Sequence, residues 1–123
     1  MHNASPLSKF SQSWQAAQAL FGKDSHARDA LEDALKEVLT AIRNNPKLGE
    51  LEPVGMSLPQ GFEFRKLKFK SGQGALGQWR LMYFWDSNKQ MIYWLWLYSH
   101  KQFPIRPTRE EMTRSIKDGL EEM

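Results

Sequence analysis

Phe62-Glu63-Phe64-Arg65-Lys66-Leu67-Lys68-Phe69-Lys70, Gln78-Trp79-Arg80-Leu81-Met82-Tyr83-Phe84-Trp85 and Met91-Ile92-Tyr93-Trp94-Leu95-Trp96-Leu97-Tyr98 are three runs dense in aromatic side chains. Such residues suit a pleated, half-buried surface, so each run predicts a strand. Asp86 to Gln90 has the composition of a hairpin loop between the last two. In the first run the hydrophobic phase changes, with Phe62 and Phe64 on one parity and Leu67 and Phe69 on the other. Either a bulge near Arg65-Lys66 or a regular strand that begins only at Arg65 accounts for it. From Arg65 onward Lys66, Lys68 and Lys70 share one face, and Arg65, Leu67 and Phe69 the other. In the second run Trp79, Leu81, Tyr83 and Trp85 alternate with Arg80, Met82 and Phe84. The third is apolar on both parities, as expected of a central strand covered on both sides.

Working back from the strands, Lys47 to Gly61 carries three glycines and two prolines and reads as a loop. Before it, Ala27, Leu31, Leu35, Val38 and Ile42 form the stripe of a helix capped by Asp24 or Ser25 and ended near Asn44-Asn45-Pro46. Earlier still, Leu7, Phe10, Trp14, Ala17 and Phe21 form another stripe, with Ser5-Pro6 as its predicted opening and Phe10 and Trp14 as core. The short link between the helices argues for a hairpin covering the sheet. After the strands, Pro104 and Pro107 interrupt the chain. Thr108-Arg109-Glu110-Glu111 is a capping box, and Met112, Ile116, Gly119 and Leu120 mark one face of a last helix. The expected fold is α+β: an N-terminal helical hairpin on an antiparallel sheet of at least three strands, with a C-terminal helix, in one domain spanning 1–123.

Charge is distributed unevenly. Residues 62–106 hold eight of the seventeen Lys and Arg but only two of the fourteen acids, so the net charge of +3 comes from the sheet region. The absence of cysteine rules out disulfide and thiol chemistry. No basic start followed by an apolar run marks a signal peptide, and no run is long enough to span a bilayer, so a cytoplasmic protein without membrane contact is expected. His2, His26 and His100 are far apart, and no metal-ligand spacing, P-loop or G-x-S-x-G occurs. Gly72, Gly74 and Gly77 match a dinucleotide fingerprint in spacing, but a strand follows them where the fingerprint needs a helix. No metal and no cofactor is expected.

The candidate chemistry is cationic. Lys66, Lys68 and Lys70 on the first strand, Arg80 on the second and His100-Lys101 after the third suit phosphate, with exposed aromatics as stacking platforms. A solvated sheet edge protected by lysine accounts for the same charges. Arg80, set among apolar residues, needs a partner, for which Glu32, Glu37 and a C-terminal acid are candidates.

A helical hairpin followed by Leu67-Lys68-Phe69, a turn, Trp79-Arg80-Leu81-Met82-Tyr83, an apolar strand and Ser99-His100-Lys101 resembles the RelE/ParE superfamily of bacterial toxins. The likeness runs from about Phe10 to Phe103. It implies a toxin of a type II toxin–antitoxin pair, a metal-independent endoribonuclease cleaving mRNA at the ribosome, with a cognate antitoxin protein as partner. Carried over by position, Lys68, Arg80, His100 and Lys101 are the catalytic candidates. Arg65, Lys66, Lys70 and Tyr83 are added as RNA contacts. The sequence departs from the family in three places. No strand is legible before the first helix, the terminal arginine is Lys101, and Phe103 and a whole helix stand where the family has a tyrosine. A non-catalytic module that binds protein and a gyrase inhibitor of the ParE type are the alternatives.

Overall fold

The computed structural model describes residues 1–103 and 105–123, so the expected strand breaker Pro104 lies outside the described residues. The chain is α+β. A sheet in the order β1-β5-β4-β3-β2 is built from β1 (Asn3–Pro6), β2 (Glu50–Leu51), β3 (Phe62–Lys70), β4 (Gln78–Asp86) and β5 (Met91–Ser99). The helices are α1 (Ser8–Ala19), α2 (Ser25–Asn44) and α3 (Arg109–Glu122).

The sheet corrects the expected antiparallel one: β1 runs parallel to β5, and the other pairings are antiparallel. The expected helix opening at Ser5-Pro6 is instead this edge strand. β5 presents a free row of backbone groups on the side away from β4, and Asn3 to Pro6 fills it, with Leu7 N–H donating to Trp94 O at 2.9 Å. Pro6 closes the edge strand, a place where a missing N–H is tolerated. The helix therefore begins at Ser8, and its first turn is capped from across the fold. The backbone N–H and hydroxyl of Ser8 donate to Glu122 Oε1 of α3 at 2.8 and 2.7 Å.

Asp24 caps α2, accepting from Ala27 N–H at 3.1 Å, and the helix ends at Asn44 as expected before Pro46. Phe10 and Ala17 of α1 and Leu31, Leu35 and Ile42 of α2 join Trp79, Leu81, Tyr83, Trp85, Ile92, Trp94 and Leu97 in one core. A second core lies on the opposite side of the sheet, where Phe64, Met82, Phe84, Leu95, Trp96 and Tyr98 meet Leu7 and Ile116 of α3. β5 thus has cover on both faces. The capping box holds in part: Thr108 Oγ1 accepts from Glu111 N–H at 3.2 Å.

Neither the bulge near Arg65-Lys66 nor the strand start at Arg65 holds in the first strand. β3 pairs with β4 without interruption from Phe62↔Asp86 to Lys70↔Gln78, so the strand is regular from Phe62. Its phase change reflects two different covers: Phe62 and Phe64 lie under the second core, Leu67 and Phe69 under the first. The irregularity is in β5. Met82 faces Trp96 while Tyr83 faces Trp94, leaving Leu95 without an opposite residue. Beyond that point every side chain of β5 has changed face.

Candidate nucleic-acid interface

The register places the cations. Lys66, Lys68 and Lys70 face Met82, Arg80 and Gln78 across the β3–β4 ladder, on the side of the sheet opposite α1 and α2. Arg80 in turn faces Tyr98 of β5. Lys68, Arg80 and Tyr98 therefore form a row across three adjacent strands. Directly opposed like charges destabilise a sheet, and a bound anion removes that cost. Lys68 is exposed and Arg80 half-buried, and neither has an ion-pair partner among the described residues. The carboxylates considered for Arg80 do not reach it; Glu32, for instance, pairs with Lys36 on α2 at 3.3 Å.

His100 and Lys101 follow β5 at the same end of the sheet. His100 N–H continues the ladder, donating to Gln78 O at 2.8 Å, and Lys101 is exposed in the turn that follows. The Nδ1 atom of His100 is buried without a hydrogen-bond partner among the described residues. The turn is held by Ser99, whose carbonyl accepts from the N–H groups of Gln102 and Phe103 at 3.1 and 3.2 Å. It returns Phe103 over the sheet, edge-on to Trp96 and Tyr98 with ring centroids 5.6 and 5.3 Å away.

Three of the expected contacts are placed differently. Lys66 is on the cationic face, but its ammonium is 3.1 Å from Glu52 Oε2, with the two side chains only 15% and 10% exposed. Arg65 lies on the helix-covered face and is 8% exposed. Its guanidinium donates to the carbonyls of Lys47 and Gly49 and pairs with Glu63 Oε1 at 3.1 Å. Tyr83 is fully buried beside it, its hydroxyl donating to Pro46 O at 2.7 Å and accepting from Gly49 N–H at 3.0 Å. Burial pushes the Tyr83 phenol above its ordinary pKa. These two residues pin the segment 46–49 to the sheet and stand apart from the cationic row. Lys70, exposed at the strand end, extends that row.

Sequence reasoning missed Tyr98, opposite Arg80 on β5, and Arg106, ahead of α3. Tyr98 is 1% exposed and its hydroxyl has no hydrogen-bond partner among the described residues. Its pKa is pushed up to about 12, by burial first, against the opposing influence of Arg80 and Arg106. Arg106, exposed before α3, also lines a cleft of about 310 Å³ with Glu52, Val54, Arg109, Met112 and Ile116. Only the regional excess of charge pointed to Arg106, and nothing in the sequence set the facing of Tyr98. Among the described residues no cluster of His, Asp or Glu could hold a metal ion, and no helix is long and apolar enough to cross a membrane. No protein-family model matches this chain, and no curated protein matches it.

Proposed function

We propose that the Lys68–Arg80 face binds RNA phosphate and that the protein is a metal-independent endoribonuclease of the RelE/ParE type, a toxin held in check by an antitoxin partner and acting on mRNA at the ribosome. The observation that carries this is the cross-strand pairing of Lys68 with Arg80, two cations opposed on one face without a counter-ion among the described residues. β1, ahead of the first helix, adds support, because that family carries a strand there.

The chemistry asked of the site is transesterification. The RNA 2′-oxygen attacks the adjacent phosphorus, the 2′-O–P bond forms and the P–5′-O bond breaks. A base takes the 2′-hydroxyl proton and an acid returns one to the 5′-oxygen. Arg80 offers a planar fork and Lys68 a point charge to the phosphoryl oxygens, where negative charge grows in the transition state. His100 and Lys101, at the same end of the sheet, are the proton-transfer candidates, and a histidine suits the task near neutral pH.

One observation favours the second reading, a non-catalytic module or gyrase inhibitor. Phe103 stands where the resembled family carries a tyrosine, and it is packed on Trp96 and Tyr98. Expression of the wild-type protein without a partner separates the two, read by growth, by cleavage of a reporter mRNA and by a supercoiling assay. The nuclease predicts growth arrest with mRNA cleavage, both lost in Arg80→Ala while its melting temperature stays within about 3 °C of wild type, as the loss of a cation that opposes Lys68 without an ion-pair partner among the described residues should allow. Normal growth with soluble wild-type protein counts against a toxin, and arrest with intact mRNA and inhibited supercoiling moves the target to gyrase.

A further inference from the structure

Tyr83 and Tyr98 are both fully buried phenols in the central strands, yet only one is satisfied. Tyr83 donates to Pro46 O and accepts from Gly49 N–H, whereas the hydroxyl of Tyr98 has no partner among the described residues. A buried hydroxyl left unpaired is costly and uncommon, so its surroundings indicate what would pair with it. The charged groups that act on it are Arg80, Glu52 and Arg106. Glu52 is engaged by Lys66 at 3.1 Å. Arg80 and Arg106 are in no ion pair among the described residues. On the face of Lys68, Arg80 lies opposite Tyr98, so an unmatched guanidinium and an unmatched O–H meet there, while Arg106 lines a cleft with Glu52, the partner of Lys66. An oxyanion with several acceptor oxygens satisfies all of them, and a phosphodiester is such a group.

We infer that Tyr98 and Arg106 complete the phosphate pocket begun by Arg80, the Tyr98 hydroxyl donating to a non-bridging phosphate oxygen and Arg106 supplying a second guanidinium. The inference rests on Arg80 being a phosphate ligand. Tyr98 acts as a neutral donor, as any phenol does at neutral pH. The β5 bulge at Leu95 is what brings it there. In an unbroken register Arg80 would face Leu97, and Tyr98 would turn toward α1 and α2 beside Trp79.

The test uses the whole protein and a short fluorescent single-stranded oligonucleotide with 2′-deoxy sugars, which binds but cannot be cut by 2′-hydroxyl attack. Anisotropy is measured at several salt concentrations, with thermal unfolding in parallel. Tyr98→Phe is expected to weaken binding about tenfold, the loss of one hydrogen bond to a charged group. Its salt slope should match wild type, because no cation is removed, and its melting temperature should hold or rise, because an unpaired buried hydroxyl is gone. Arg106→Ala is expected to lower the slope by about one. Unchanged affinity in Tyr98→Phe while Arg80→Ala weakens binding overturns the assignment of Tyr98 and leaves the phosphate site intact. A lower melting temperature in Tyr98→Phe overturns it as well, by showing a structural contact. An unchanged slope in Arg106→Ala removes Arg106 from the pocket. Unchanged binding in both Arg80→Ala and Lys68→Ala brings down the phosphate site and Tyr98 with it.

Discussion

Arg65→Ala should unfold this protein far more readily than Arg80→Ala, although the two arginines lie on neighbouring strands of one sheet. Arg65 is 8% exposed, and its guanidinium serves three groups: the carbonyls of Lys47 and Gly49 and the carboxylate of Glu63. Truncation leaves the Gly49 and Lys47 carbonyls short of a donor and Glu63 without its cation. Breaking a buried charged network of this kind costs about 3 kcal/mol. Glu63 keeps 29% of its side-chain surface in solvent, which puts the cost toward the lower end of the range for buried pairs. In a domain of this length that lowers the melting temperature by roughly 10–15 °C. Thermal and urea unfolding measure it, and the urea slope should stay at the wild-type value if only the native state is weakened. Oligonucleotide binding, measured well below the lowered transition, should keep its wild-type salt dependence, because this guanidinium lies on the face away from the cationic row. A melting temperature within about 3 °C of wild type, or a salt slope reduced by about one, would refute the division of labour between Arg65 and Arg80.

Two further outcomes concern the buried phenols and the Lys66–Glu52 pair. Tyr98 and Tyr83 both titrate higher in the folded chain than the ordinary phenol near 10, Tyr98 at about 12, so the native state keeps protons that the unfolded chain releases. Their contribution to stability is complete below about pH 10 and is lost as pH rises toward 12; urea midpoints across that span should fall, and Tyr98→Phe should shallow the fall. Glu52→Gln removes the counter-ion of the largely buried Lys66 and should cost about 2–3 kcal/mol in urea unfolding. It should also raise the salt slope of oligonucleotide binding by about one, as a neutralised lysine rejoins the cationic face.

Local patterns made much of the fold legible. The helix stripes led to Leu31, Leu35 and Ile42 in the core, and the alternation in β4 separated Trp79, Leu81, Tyr83 and Trp85 from Arg80, Met82 and Phe84. These succeed because a side chain's direction follows from the backbone period alone. Ser5-Pro6 carries a helix-start signal yet lies in β1, because its pairing partner is far along the chain at Met91 to Trp94. Arg65 was grouped with the RNA contacts because charge is visible in a sequence and the carbonyls that neutralise it are not.

The sequence by itself determined which residues share a face within β3 and within β4, while the register between the strands put Lys68 and Arg80 on the same side. The sequence could not set the facing of β5, whose apolar run satisfies either parity. That choice was made by the tertiary structure: with a helix-covered core on one side and α3 on the other, both faces needed filling. One extra residue at Leu95 let Trp94 and Leu97 serve the first core while Trp96 and Tyr98 served the second. Hydrophobic burial favours such a solution without regard to sequence distance, and it is what set an unpaired phenol beside an unpaired arginine.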